Sequence, residues 1–217
     1  MPRLNRKEMQ QQTRQRLLEA AEGEIARRGI EAASLRDIAE AAGYSLGAVY
    51  SNFNSKEDLL RELLATHMQK EMDLIREALS DNESESPAES LAKLEALLRA
   101  MRKDEVLSGL IVEFHLHANR NPTFRQEFYE SKNQRLSVLA DGLSSLLRRF
   151  GVELSIEPQS LAQGFSALWV GFAIQGNEGG GDRAEEVTMF LFDALLSKAS
   201  PRLPTHEDKK SRKNGRG

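Results

Sequence analysis

The sequence predicts an all-α protein, on three observations. Apolar residues recur at three- and four-residue spacings along almost the whole chain, the period of an amphipathic helix. No segment alternates apolar and polar residues with β-branched enrichment, so no strands are expected. Serine, asparagine and proline stand where helical patterns begin, and glycine where several of them stop.

The first predicted helix covers residues 11–28, where Leu17, Leu18, Ala21 and Ile25 share one face and Gly29 ends the pattern. Ser34, with Asp37 three positions on, forms a capping-box variant that opens a second helix over 35–42, stopped by Gly43. Ser45 caps a short third helix running to Phe53. Ser55 with Asp58 opens a fourth, whose Leu59, Leu63, Met68, Met72, Ile75 and Leu79 form a core-facing stripe. At about 1.5 Å per residue it is long enough to link two halves of a molecule. An acidic, serine-rich loop at 80–86 follows, and Ser86-Pro87 with Glu89 opens the next helix. Further helices are expected at 91–102, 105–118, 122–150, 158–175 and 183–199, broken at Asn121-Pro122, at Gly151 and at 176–182. The tail 201–217, with six Lys or Arg against two acids, reads as a disordered, solubilising basic segment.

Composition narrows the function. The chain has 217 residues, 40% of them hydrophobic, enough for a sizeable core. Its longest apolar run, 164–174, holds 11 residues, short of the roughly 18 that cross a bilayer. The first twenty residues are charged and glutamine-rich, unlike a secretory leader, so a cytoplasmic location is expected. No cysteine is present, which excludes disulfides, thiolate catalysis and cysteine-held zinc. Net charge is −3, but residues 1–56 carry nine basic against seven acidic groups and the remainder 21 against 26. The basic end is the candidate nucleic-acid end.

Between Leu35 and Phe53 small and apolar residues fall at the offsets of a helix-turn-helix. Ala39 permits close crossing of two helices, Gly43 supplies a left-handed turn, and Val49 docks the second helix on the first. Ile38 and Leu35 fill the space between. Geometry then assigns the third helix to the major groove of double-stranded DNA, with Ser45, Leu46, Ala48, Tyr50 and Ser51 outward and Gly47 allowing close backbone approach. Arg3, Arg6 and Lys7 offer a minor-groove arm, against the simpler reading of a frayed basic terminus.

Over about residues 10–60 the chain resembles the TetR family of bacterial regulators. The resemblance is carried by Leu35-Arg36-Asp37-Ile38-Ala39-Glu40-Ala41-Ala42-Gly43-Tyr44-Ser45 and by Val49-Tyr50-Ser51-Asn52-Phe53-Asn54-Ser55-Lys56-Glu57-Asp58-Leu59-Leu60. It implies a homodimer that binds a palindromic operator and leaves it when a small molecule enters the C-terminal bundle. It also implies DNA contacts at Ser34, Arg36, Ser45, Tyr50 and Lys56. Leu46 and Ser51 depart from the polar or basic residue and the histidine common at those positions; Leu46 suits a thymine methyl. Lys56 sits in a first helical turn, where a cation opposes the helix dipole unless an anion is bound. A solvated lysine offset by Glu57 and Asp58 is the competing reading.

The predicted organisation is therefore a three-helix helix-turn-helix domain (1–56), a helical domain for ligand sensing and dimerisation (57–200) and the tail. Phe165 to Phe172, with Gly164, Ala167 and Gly171, and Val187 to Leu195 are assigned to the dimer interface. Candidate pocket residues are Met68, Met72, Met101, Phe114, His117, Phe128 and Trp169, an adaptable sulfur and aromatic surface for a small apolar or aromatic effector; each also reads as plain core. His115 and His117 are two apart on different helix faces, poorly placed to share a metal, and no cofactor is expected. An all-helical enzyme finds no nucleophile elbow, phosphate loop or metal spacing to support it. A bundle that binds a protein partner instead of a ligand is the other alternative, to be told apart by a fully packed interior.

Overall fold

A computed structural model describes residues 5–80, 85–103, 105–153, 155–175 and 183–197. Arg3 of the basic arm, the connector 176–182 and the tail 201–217 lie outside them. The described residues form nine α-helices and no strand: α1 (Arg6–Arg28), α2 (Leu35–Ala41), α3 (Leu46–Asn52), α4 (Lys56–Ala78), α5 (Pro87–Lys103), α6 (Glu105–Arg120), α7 (Pro122–Arg149), α8 (Pro158–Gln175) and α9 (Arg183–Ser197).

Helix starts are set by side chains that take up otherwise orphaned amides. Ser34 accepts from the Asp37 amide at 3.1 Å while Asp37 accepts from the Ser34 amide at 3.0 Å. Ser45 accepts from the Ala48 amide at 3.3 Å and Ser55 from the Asp58 amide at 3.1 Å. α1 begins at Arg6, ahead of the expected residue 11, because Asn5 and Glu8 exchange the same pair of bonds, at 2.9 and 2.7 Å. The first two turns of α1 carry an exposed face all round, so periodicity gave no sign of them. α5 likewise starts at Pro87, where Ser86 and Glu89 form a reciprocal pair.

Two apolar cores follow one another along the molecule. The first gathers Leu17, Ala21 and Ile25 of α1, Ile38 and Ala39 of α2, Val49 of α3 with Phe53, and Leu59 to Leu64 of α4. It does not end with the short helices: Leu110, Phe114 and Ala118 of α6 and Phe124 and Phe128 of α7 belong to it. The second core lies among α4, α5, α7, α8 and α9, around Ile75, Leu97, Leu143, Ala162 and Phe192. Residue 56 is thus a landmark in the chain, and packing continues across it.

Two glycines allow the close contacts that join these layers. A Cβ on Gly109 of α6 would stand 3.2 Å from the Ala26 backbone of α1, and one on Gly142 of α7 would meet the Leu79 Cβ at 2.7 Å. At Gly142 a side chain would force Leu79, just past the end of α4, to shift, and at Gly109 it would press tightly on α1.

Candidate nucleic-acid interface and internal cavity

The turn between α2 and α3 depends on Gly43, whose φ of 73° is the left-handed conformation that a side chain resists. The Gly43 amide bonds the Glu40 carbonyl at 3.0 Å and the Tyr44 amide the Ala39 carbonyl at 2.8 Å, closing α2. Ile38 and Val49 are fully buried and Ala39 nearly so, which fixes the angle between the two short helices. α3 is further held by Arg14 of α1, whose guanidinium donates to the Asn52 carbonyl, pairs with Glu62 of α4 and lies 4.4 Å over the Phe53 ring. Hydrogen bonding to Glu62 raises the Arg14 pKa further, so this latch stays charged.

What α3 leaves outward is the surface expected from its sequence. Ser45, Gly47 and Ser51 are exposed, Leu46 is 38% and Tyr50 58% exposed, and Ala48 is half-buried. A Cβ on Gly47 would meet only the Ser45 hydroxyl at 3.6 Å, so the approach to this backbone is open. The Ser51 hydroxyl donates to the Ala48 carbonyl at 2.8 Å and accepts from the Asn52 side-chain amide at 3.3 Å, which leaves one lone pair for an outside donor. Arg36 of α2 is exposed as well. Ser34 is exposed too, but its hydroxyl is engaged with Asp37. Lys56, half-buried at the start of α4, donates to the Ile30 carbonyl; an ammonium has two further protons to give.

The Ile30 peptide is held from both sides. Its amide donates to Glu113 of α6 at 2.7 Å, while its carbonyl accepts from Lys56. One turn further along α6, His117 is buried against the Phe124 ring, with Glu31 at 3.7 Å and Glu57 at 3.5 Å from its two ring nitrogens. Sequence reasoning did not find the Arg14 latch or the Glu113 contact, both of which join residues far apart in the chain.

A cavity of about 80 Å³ lies where the two cores meet. Met68, Met101, Phe128 and Trp169 are on its wall, together with Ile75, Leu97, Leu98 and Phe165. Met72, Phe114 and His117 do not line it: Met72 is buried away from it, Phe114 belongs to the first core and His117 faces Glu31 after α1 and Glu57 at the start of α4. Phe165 and Phe192, expected at a dimer interface, turn inward onto the cavity, as does Trp169, expected at either the interface or the pocket. The outward side of α8 and α9 still presents Ile174 at 63%, Phe190 at 70% and Leu191 at 40% exposure. An apolar surface groove runs there past Gly164, Leu168, Ala194 and Leu195.

The cavity also holds charges absent from the sequence-based set. Glu71 of α4, His115 of α6, Lys132 and Arg135 of α7 and Ser166 of α8 are all on its wall. Arg135 donates to the Ser166 hydroxyl at 2.7 Å and places its Nε 3.3 Å from the Glu71 carboxylate. Burial pushes the Glu71 pKa up, against the pull of Arg135. Burial also lowers His115, aided by Lys132 and Arg135, and lowers Lys132, aided by Arg135. The signal was present in α7: Phe128, Lys132, Arg135, Leu139 and Leu143 follow one another at helical spacings on the cavity wall, two cations within an apolar stripe.

Two capped seven-residue helices at a fixed angle, with a solvent-facing second helix on a continuous apolar core, define a helix-turn-helix protein. The family model for bacterial regulatory proteins of the tetR family matches residues 17–63. The chain is 30% identical over 165 residues to the probable HTH-type transcriptional regulator ArpR of Pseudomonas putida, covering 72% of this chain and 77% of that one. It is 32% identical over 135 residues to the HTH-type transcriptional regulator TtgR, also of Pseudomonas putida, and the match spans 62% of each. A TetR-family regulator of known structure from Agrobacterium tumefaciens superposes with a TM-score of 0.72 at 19% identity, over 86% of this chain and 98% of that one. The chain belongs to the TetR family of helix-turn-helix transcriptional regulators.

Proposed function

We propose that this protein is a homodimeric repressor that binds a palindromic operator in the cytoplasm and is released when a small molecule fills the bundle. The observation that carries the reading is the outward face of α3, rigidly mounted through Val49, Phe53 and the Arg14 latch. Residues 1–56 supply the DNA-reading unit and 57–200 the sensing and dimerising unit. Tyr50, Leu46 and Ser51 meet base edges, Gly47 and Ala48 let the backbone approach, and Ser45, Arg36 and Lys56 meet phosphates. Ser34 contributes by holding α2 in place, because its hydroxyl is already engaged.

A partner copy covers the exposed apolar residues of α8 and α9, and so sets two copies of α3 about 34 Å apart for successive major grooves. The cavity supports a ligand-bound bundle over a purely protein-binding one. At about 80 Å³ it is smaller than the roughly 150 Å³ that holds a benzene ring, so a ligand enters by displacing flexible wall residues such as Met68 and Met101. α6 lies between the two sites: Ile111 and His115 face the cavity, while Glu113 and His117 face the loop after α1 and the start of α4. A shift of α6 or α4 on filling the cavity therefore re-aims α3 and changes the half-site distance.

Selection of bound fragments from bacterial genomic DNA, followed by footprinting, tests the reading. An inverted repeat with half-sites about one helical turn apart is expected; protection without two-fold symmetry contradicts it. Affinity should also fall steeply with salt as phosphate contacts release counterions.

A further inference from the structure

The charges on the cavity wall do not balance. Among the described residues Lys132 and Arg135 face one carboxylate, Glu71, which also has the His67 ring nitrogen 3.8 Å away, and burial pushes the His115 pKa down, away from its charged form. His115 Nδ1 is engaged with the Ile111 carbonyl at 2.8 Å, so it supplies no counter-charge. Arg135 makes one good bond, to Ser166, and its buried Nε has the Glu71 oxygen at 3.3 Å without the alignment of a hydrogen bond. Lys132 has no carboxylate within ion-pair distance among the described residues; its nearest partner is the Tyr129 ring, 5.6 Å away. Both cations come from one face of α7, three residues apart. Much of the remaining wall is apolar, with Leu97, Met101, Phe165 and Trp169.

Arg135, largely buried, and Lys132, partly so, share this wall with a single carboxylate, and an anion bound between them would balance the excess. We propose that the effector is an organic carboxylate: a compact apolar body seated against Leu97, Met101 and Trp169, with its carboxylate between Lys132 and Arg135. A single negative charge balances the site, and a carboxylate matches the fork of an arginine. Glu71 then acts as the resident anion that the effector competes with for Arg135. This inference rests on the reading of the cavity as the effector site.

Trp169 is the one tryptophan of the chain, so its emission in the intact protein reports on this wall alone. Titrations use two spectrally silent sets: cyclohexanecarboxylate, its amide and cyclohexylmethylammonium; and octanoate, octanamide and octylammonium. The carboxylate of at least one set is expected to shift the emission saturably, binding about tenfold or more tighter than its amide, as for one charge-assisted contact, and the ammonium is expected to be silent. Lys132→Met should weaken carboxylate binding by a similar factor and leave the amide unchanged, whereas Glu71→Gln should tighten the carboxylate. Amide or ammonium binding as tight as carboxylate, or carboxylate affinity indifferent to both substitutions, overturns the carboxylate while leaving the cavity as effector site. Silence from all six compounds overturns both.

Discussion

The two ends of the molecule are packed on opposite principles. In the first core the polar groups of the short helices are tied to one another: Ser34 to Asp37, Arg14 to Asn52 and Glu62, Ile30 to Glu113 and Lys56. Its aromatic rings, Phe53, Phe114, Phe124 and Phe128, are fully or almost fully buried. The second core instead borders a cavity, which it shares with Met68 and Phe128 and whose wall carries Met101, Lys132 and Arg135. The difference teaches a division of labour. On the proposed function, the surface that matches the fixed spacing of DNA is mounted on the tighter end of the molecule, and the proposed ligand site lies where room remains.

The largest effect that sharpens this contrast is stability. Phe114→Ala, in the tight core, should cost about 3–5 kcal/mol, because the site cannot collapse. Met101→Ala, on the cavity wall and already half-buried beside open space, should cost less than about 2 kcal/mol, the low end for such truncations. Chemical denaturation measures both; equal losses would break the comparison. The close approach of α1 and α6 is tested next. Gly109→Val should cost about 1–3 kcal/mol by overpacking against Ala26 and should weaken effector-driven release from DNA more than DNA binding itself. If release is unaffected, α6 does not carry the signal.

Smaller effects belong to the DNA-facing end. Lys56→Ala should reduce the slope of log affinity against log salt by about one, as for a single phosphate contact, and an unchanged slope would assign Lys56 to the Ile30 carbonyl alone. The least is a titration. The Ser34 hydroxyl and amide, with Arg28, hold the Asp37 carboxyl down from 3.8 to about 2. A depressed carboxylate adds its stability above its ordinary range and loses it as pH falls through the folded value. The second helix should therefore keep its cap down to about pH 2, and Ser34→Ala should return the Asp37 titration, followed by NMR, toward its ordinary value.

How far the sequence disclosed this arrangement differs between the two ends for the same reason. The starts of α2, α3 and α4 were legible because Ser34, Ser45 and Ser55 act within three residues of themselves, and Gly43 marks a local backbone need. Asn5 and Glu8 act as locally, but on a stretch with no apolar stripe to draw attention to them. In the bundle, helical period shows which residues are buried and not which neighbour buries them. α6 is covered on two sides, so Phe114 and His117 look like cavity residues from sequence while Ile111 and His115 hold that position. The charged residues escaped because Glu71, Lys132 and Arg135 read as surface unless their phase with Met68, Phe128 and Leu139 is followed. Phe165 reads as an interface residue, and Trp169 as either interface or pocket, because their helix is apolar on nearly every side, and the polar Arg135 to Ser166 contact that turns it joins residues 31 apart.

The central claim is that the exposed face of α3 reads sequence. Its most direct test compares wild type with Tyr50→Ala on a selected operator and on random DNA, at one salt concentration and with matched melting temperatures. The account predicts a loss of about 5- to 150-fold on the operator, the range of one to a few base contacts, with little change on random DNA. Equal operator affinity for the two proteins would contradict it.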